Sequence, residues 1–193
     1  MELSLGQGYR VPASAATIIQ KTRVLFVVAP SNFRDEEFQQ PYLRLKEAGA
    51  KVVVASVGVD AAFGMLGMRV KVDVDATKAN MDDFDVLVLI GGSGVIEHKL
   101  DENKAILALV KQAFALRKLV GAICVAPRIL AAAKVLDGRY VTCWRDPETI
   151  DIVKKAGAVY VREPSVHDGQ LVTADGPASA ERFARTLIDA ITA

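Results

Sequence analysis

The sequence predicts an α/β fold: a three-layer sandwich in which a mostly parallel sheet lies between two layers of helices. Two observations carry this expectation. Continuous apolar runs rich in β-branched residues, the signature of strands buried on both faces, recur along the chain. Stretches of helical periodicity separate them, and strand–helix alternation is what a parallel sheet with crossover helices requires. The chain has 193 residues, a length that fits one domain. Residues 1–22 read as an N-terminal extension and 23–193 as the domain.

Residues 24–29 (VLFVVA) form the first buried run. A helical pattern follows over 36–48 and closes at Gly49, a favoured residue just past a helix end. Residues 51–57 are the second buried strand, which completes a βαβ unit. Between 64 and 75 the chain alternates, with Val70, Val72 and Val74 set against charged neighbours, as a half-exposed strand or hairpin does. Residues 84–90 are a third buried strand that runs into Gly91-Gly92-Ser93-Gly94. A helix over 102–116 carries Ile106, Leu109, Val110 and Ala113 on one stripe. Residues 119–123 are the next strand, and Pro127 suits the first turn of a helix that continues through 132. Residues 140–144 are strand-like, 147–156 helical, and 159–161 and 171–173 strands, with Asp168-Gly169 as a turn before the last. Pro177 opens a final helix whose apolar face holds Phe183, Ala184, Leu187, Ile188 and Ile191.

Charge excludes several function classes. There are 24 basic and 23 acidic residues, net +1, so no electrostatic case exists for nucleic acid or an anionic membrane. No apolar run approaches the roughly 18–20 residues of a membrane span, and the first ten residues lack a secretory pattern; a cytoplasmic location is expected. Cys124 and Cys143 do not make a disulfide framework. His98 and His167 stand outside any metal-ligand spacing and read as surface residues. No metal or organic cofactor is expected.

The chemistry points to Cys124. Ligands of open parallel sheets bind at the carboxyl ends of the strands, and Cys124 sits where a buried strand turns directly into a helix. A helix N-terminus lowers a thiol's pKa, so a reactive thiol is expected, set against the common fate of free cysteine as a small buried hydrophobe. The Val125 N–H, with that of Gly92 from the neighbouring loop, is placed to hold an oxyanion. Glu37 and Glu36, after the first strand, both read as carboxylates at a helix start, and residue type alone does not choose between them. Cys143 reads as a structural, mid-strand cysteine.

Four segments together resemble the ThiJ/PfpI superfamily, which includes the parkinsonism-associated deglycase and the PfpI intracellular peptidases. They are Phe33-Arg34-Asp35-Glu36-Glu37-Phe38 with Pro41 following, Leu89-Ile90-Gly91-Gly92, Ala122-Ile123-Cys124-Val125-Ala126-Pro127, and Asp168-Gly169-Gln170-Leu171-Val172-Thr173. The resemblance covers about residues 22–192 and implies a flavodoxin-like, class I glutamine amidotransferase-like fold. It implies Cys124 as nucleophile, Glu37 rather than Glu36 as the acid hydrogen-bonded to its sulfur, and Gly92 beside Val125 as oxyanion donors. It also implies self-association as a homodimer or hexamer.

Two positions depart from the family pattern. The peptidases carry histidine directly after the cysteine; here that residue is Val125, which leaves Glu97, similar to a glutamate those enzymes contribute from an adjacent subunit, with nothing to orient. Some deglycase-like members place histidine where this chain has Trp144, which can wall a pocket but not shuttle protons. The expected function is therefore a cofactor-independent, stress-protective glyoxalase or deglycase acting through the Cys124 thiolate on small reactive carbonyls or glycated adducts. Two alternatives remain: a redox-sensing or chaperone-like protein with Cys124 as an oxidisable thiol, and, disfavoured for want of the histidine, an intracellular cysteine peptidase.

Overall fold

The computed structural model describes residues 3–5, 9–11 and 13–193, with side chains from residue 16 onward. The chain begins with β1 (Leu3–Leu5) and β2 (Tyr9–Val11), an antiparallel pair, then α1 (Ala13–Lys21). The expected extension, residues 1–22, lies partly outside the described residues. Within it, Ile19 of α1 is fully buried, and α1 packs on the last helix.

The elements that follow are β3 (Arg23–Val27), β4 (Ser31–Phe33), α2 (Asp35–Glu47), β5 (Lys51–Ser56), β6 (Ala61–Gly64), β7 (Arg69–Lys71), β8 (Val74–Asp75), β9 (Val86–Leu89), α3 (Gly94–Glu97), α4 (Lys104–Ala115), β10 (Leu119–Ile123), α5 (Pro127–Ala132), β11 (Tyr140–Val141), α6 (Pro147–Lys155), β12 (Val159–Tyr160), β13 (Ser165–Asp168), β14 (Leu171–Ala174) and α7 (Ala180–Thr192). Seven strands form the main sheet in the order β13-β14-β10-β9-β3-β5-β8. All neighbours run parallel except the edge hairpin β13–β14. Helices α1, α2 and α7 pack together over the sheet, while α4 and α5 pack against β10 and one another. The fold is α/β with a mostly parallel central sheet between helices, as the periodicity predicts.

The central strands follow directly from composition. Val86, Leu87, Val88 and Leu89 are all buried, as are Val24–Val27 in β3; a strand covered on both faces has no polar side to show. The segment 64–75, expected as a half-exposed strand or hairpin, holds the second arm of a hairpin that begins earlier: β6 pairs antiparallel with β7, and β8 then joins the main sheet beside β5.

The strand expected over 140–144 is corrected by the structure. It ends at Val141, and Cys143 is not mid-strand. Beyond Val141 the backbone leaves the ladder: the Thr142 N–H donates to the Thr173 hydroxyl and the Trp144 N–H to the Cys124 carbonyl. These bonds draw the segment across β14 and the end of β10 rather than along a strand edge.

Because β3, β9 and β10 are adjacent and parallel, their carboxyl ends lie side by side. The loops carrying residues 28–35, 90–93 and 124–126 therefore converge. An aromatic cluster fixes the first turn of α2 there. Phe38 meets Phe26 edge-on at 5.8 Å and Phe33 at 5.6 Å, and stacks on Tyr42 at 4.9 Å. Such pairs add to the burial of each ring. Phe38→Ala is expected to lower stability by about 3–5 kcal/mol, whereas Leu43→Ala, on the exposed side of the same helix, stays within about 0.5 kcal/mol; urea denaturation measures both.

Candidate functional site

Cys124 follows the last residue of β10 and precedes α5, whose first residue is Pro127. Its φ is +64°, a left-handed conformation that costs a non-glycine residue energy. Bonds on both sides hold it there: the Cys124 N–H donates to Ala174 O at 2.9 Å, and its carbonyl accepts the Trp144 N–H at 2.7 Å. The thiol is buried, with 7% of the residue exposed.

Glu37 lies in the first turn of α2 and is fully buried. Pro41, four residues on, has no N–H to give the Glu37 carbonyl, a cost that proline imposes inside a helix. One carboxyl oxygen, Oε2, accepts the Gly91 N–H at 3.1 Å. The other, Oε1, has no hydrogen-bond partner of strict geometry among the described residues. Gly91 lets these groups meet. A Cβ there would come within 2.5 Å of Glu37 Oε2 and 2.7 Å of Cys124 Cβ. Gly92, at φ +107°, turns the loop so that its backbone closes against Asn32 and Arg34. Arg34 N–H donates to Gly91 O at 3.0 Å and ties the two loops together.

The electrostatics follow from burial. Glu37 is pushed up to about 8, chiefly by loss of water; the Cys124 thiol, the Gly91 N–H and Arg34 pull the other way. Cys124 is also raised, first by burial, then by the charge of Glu37 and its hydrogen bond; the N–H groups of Val125 and Gly92 favour the thiolate but do not prevail. The expected lowering of the Cys124 pKa is thus reversed. Helix α5 has only six residues, and desolvation outweighs its end. Both shifts favour the uncharged pair, a carboxylic acid beside a thiol.

These groups border a cavity of about 300 Å³ that also exposes Trp144 and Arg128. All five residues singled out in the sequence, Cys124, Glu37, Gly92, Val125 and Trp144, line it. Trp144 is 44% exposed at the rim. His98 and His167 are exposed and do not line the cavity; their ring nitrogens engage Ser31 and the Gly169 carbonyl. Glu97 is exposed and accepts from Asn32 at 2.6 Å. Cys143 is buried and its thiol is pushed up to about 12 by desolvation and by Asp146 and Asp175. A wider groove of about 610 Å³ lies beyond α5, between Asp101, Lys134 and Ile152, but contains no thiol. Among the described residues no group of three or more His, Cys, Asp or Glu is arranged to hold a metal ion, and no helix is long and apolar enough to cross a membrane.

Sequence reasoning missed Arg128, Asp146 and Thr149, which also line the cavity. Asp146-Pro147-Glu148-Thr149 does carry a helix-start signature, and Asp146 caps α6 through the Thr149 N–H at 2.9 Å. Arg128 belongs to no motif that the sequence offers, and it is buried between Asp101 at 3.4 Å and Glu148 at 3.1 Å.

Comparison with known proteins gives consistent findings. The sequence model of the DJ-1/PfpI family matches residues 22–190. A protein of Methanocaldococcus jannaschii, described only as uncharacterised, is 38% identical, covering 90% of this chain and 84% of its own. The protein named deglycase PH1704, from Pyrococcus horikoshii, is 37% identical, covering 86% of this chain and 97% of its own. Among solved structures, a ThiJ/PfpI domain protein from Brachyspira murdochii superposes with a TM-score of 0.83 at 30% identity, over 88% of this chain and 95% of the other.

The raised Glu37 group makes stability depend on pH. Its carboxyl ionises at about 4.5 when unfolded and at about 8 when folded. Between those values the native chain holds a proton that the unfolded chain has lost, so rising pH favours unfolding. Urea denaturation at pH 5, 6, 7 and 8 is expected to show stability falling by about 1 kcal/mol per pH unit from this group, and Glu37→Gln is expected to remove that slope.

Proposed function

The chain belongs to the DJ-1/PfpI family, and on that premise we propose that it removes small reactive carbonyl groups, as a deglycase or glyoxalase, by adding the Cys124 thiol to them. The observation that carries this reading is the pairing of a buried thiol with a buried carboxyl, its pKa raised by loss of water, at the wall of a small cavity. Relatives named deglycases support the reaction class.

Addition proceeds as follows. The Cys124 sulfur bonds to the carbonyl carbon, and the π pair moves to the carbonyl oxygen. The Val125 and Gly92 N–H groups, which favour the thiolate, hold the negative charge that develops. Glu37 passes the thiol proton to that oxygen, giving a neutral hemithioacetal with nothing gained or lost. A neutral carboxyl suits this relay because it both gives and takes a proton, and Oε1 is the oxygen that the Gly91 N–H leaves free.

Peptide hydrolysis asks for more. An amine leaving group must be protonated, a task histidine performs near pH 7. Val125 follows the cysteine, and both histidines lie away from the cavity. The proposal extends to a cytoplasmic location, as the sequence pattern leads one to expect, and to self-association, as the family resemblance implies.

Purified wild type is expected to consume methylglyoxal, and Cys124→Ser to lower that rate at least about a hundredfold. Casein cleavage abolished by Cys124→Ser, with methylglyoxal untouched, would reverse the assignment to peptidase. Peroxide-treated protein that gains oxygen first on Cys124 while neither substrate turns over would favour the redox-sensor reading.

A further inference from the structure

Five buried side-chain polar atoms lack a hydrogen-bond partner among the described residues, and four of them belong to residues lining the Cys124 cavity. One is Glu37 Oε1, used above. The other three, Arg128 Nη1, Asp146 Oδ2 and Thr149 Oγ1, come from the α5–α6 side. Buried polar atoms are almost always paired, so three such atoms on one wall need an explanation.

Each of these groups is anchored through its other atoms. Arg128 bonds Asp101 through Nε and Glu148 through Nη2. Asp146 Oδ1 takes the Thr149 N–H. The leftover atoms are thus held by a fixed frame rather than by mobile chains. Their chemistry is mixed: Arg128 Nη1 only donates, Asp146 Oδ2 accepts, and the Thr149 hydroxyl does both. A group that both donates and accepts can satisfy all three, and among the functional groups of an organic ligand the hydroxyl is the simplest of that kind. Charge narrows the choice further. The guanidinium already faces two carboxylates, and Asp146 adds a third, so the wall is not suited to a carboxylate or phosphate. An ammonium would leave Arg128 Nη1 unmet. The rest of the cavity is lined by Met65, Ile96, Trp144 and Pro177, a setting for carbon chain. Its volume of about 300 Å³ exceeds what a three-carbon dicarbonyl fills.

We propose that the Arg128–Asp146–Thr149 wall is a hydroxyl-binding subsite, and that the substrate is a hydroxylated carbonyl compound, such as an α-hydroxyaldehyde or the sugar-derived part of a glycated adduct. The proposal rests on the carbonyl-directed reading of Cys124 and names its substrate class. Thr149 and Asp146 are then specificity determinants that discriminate by leaving polar atoms unpaired when a substrate lacks the hydroxyl.

The test compares kcat/KM for glyceraldehyde with kcat/KM for methylglyoxal in wild type, Thr149→Val and Asp146→Asn. Both variants keep the helix start, since the Thr149 N–H is backbone and asparagine also caps. The glyceraldehyde-to-methylglyoxal ratio is expected to fall about tenfold in each, the scale of one buried hydrogen bond. An unchanged ratio overturns the subsite, as does an equal loss on both substrates, which marks a structural role. A second measurement needs no catalysis. Trp144 is the only tryptophan and lines the cavity, so its fluorescence reports binding in Cys124→Ser protein. Xylitol is expected to shift it saturably, and Thr149→Val to weaken that binding about tenfold; no saturable shift, or one indifferent to Thr149, overturns the proposal. If wild type shows no Cys124-dependent turnover of either carbonyl, the catalytic reading fails while the xylitol titration still decides the subsite.

Discussion

The carboxyl ends of β3, β9 and β10 are organised around one contact, the meeting of the Glu37 carboxyl with the Cys124 thiol beside the Cα of Gly91. Burying an acid costs free energy unless it is neutral or paired. Here the outcome is a carboxyl raised to about 8, coupled to a thiol that is itself raised. Much of the local structure keeps that contact in place. The aromatic cluster around Phe38 sets the first turn of α2. The left-handed backbone of Cys124 is held by bonds to Ala174 and Trp144. A side chain at Gly91 would displace either partner. The strain at Cys124 and the unpaired Glu37 oxygen are the kind of local cost that proteins retain where chemistry requires it.

The rest of the cavity is specialised in the same way. Part of its lining is apolar, with Met65, Ile96 and Pro177, and part is built from polar groups fixed by the start of α6 and by the Arg128 ion pairs. Reaction and recognition are thereby separated. The strand ends supply the thiol, the acid and two N–H donors, while α5 and α6 supply the surface that meets the remainder of a ligand. Substitutions on the second group should alter preference among ligands more than the chemistry itself.

The fold was legible because buried parallel strands carry an unmistakable composition, as in residues 86–89 and 24–27. That alone brings the glycine loop and Cys124 together, since neighbouring parallel strands end on one edge. Other features were hidden for physical reasons. Glu36 and Glu37 look alike in sequence, but one step along a helix turns the side chain by about 100°; Glu36 pairs with Arg34 at 2.8 Å near solvent, and Glu37 is enclosed. Residues 142–144 have strand-like composition, yet their N–H groups bond a threonine hydroxyl and the Cys124 carbonyl. The rise in the Cys124 pKa reflects desolvation, which no local motif records. Arg128 is buried through acids 27 positions before it and 20 after it in the chain, a pairing that only the folded chain reveals.

The central claim is that Glu37 is neutral at pH 7, so that its free Oε1 can support the sulfur as it ionises, whereas the charged form would oppose that ionisation. The sign of one effect tests it. Iodoacetamide labelling of Cys124 at pH 7, followed by mass spectrometry with Cys143 labelling as the control for intact packing, is to be compared in wild type and Glu37→Leu. A neutral Glu37 stabilises the thiolate, so its loss is expected to slow labelling about tenfold. Faster labelling in Glu37→Leu, with Cys143 still protected, would show that Glu37 is ionised and holds the thiol back, and would contradict the proton relay built on it.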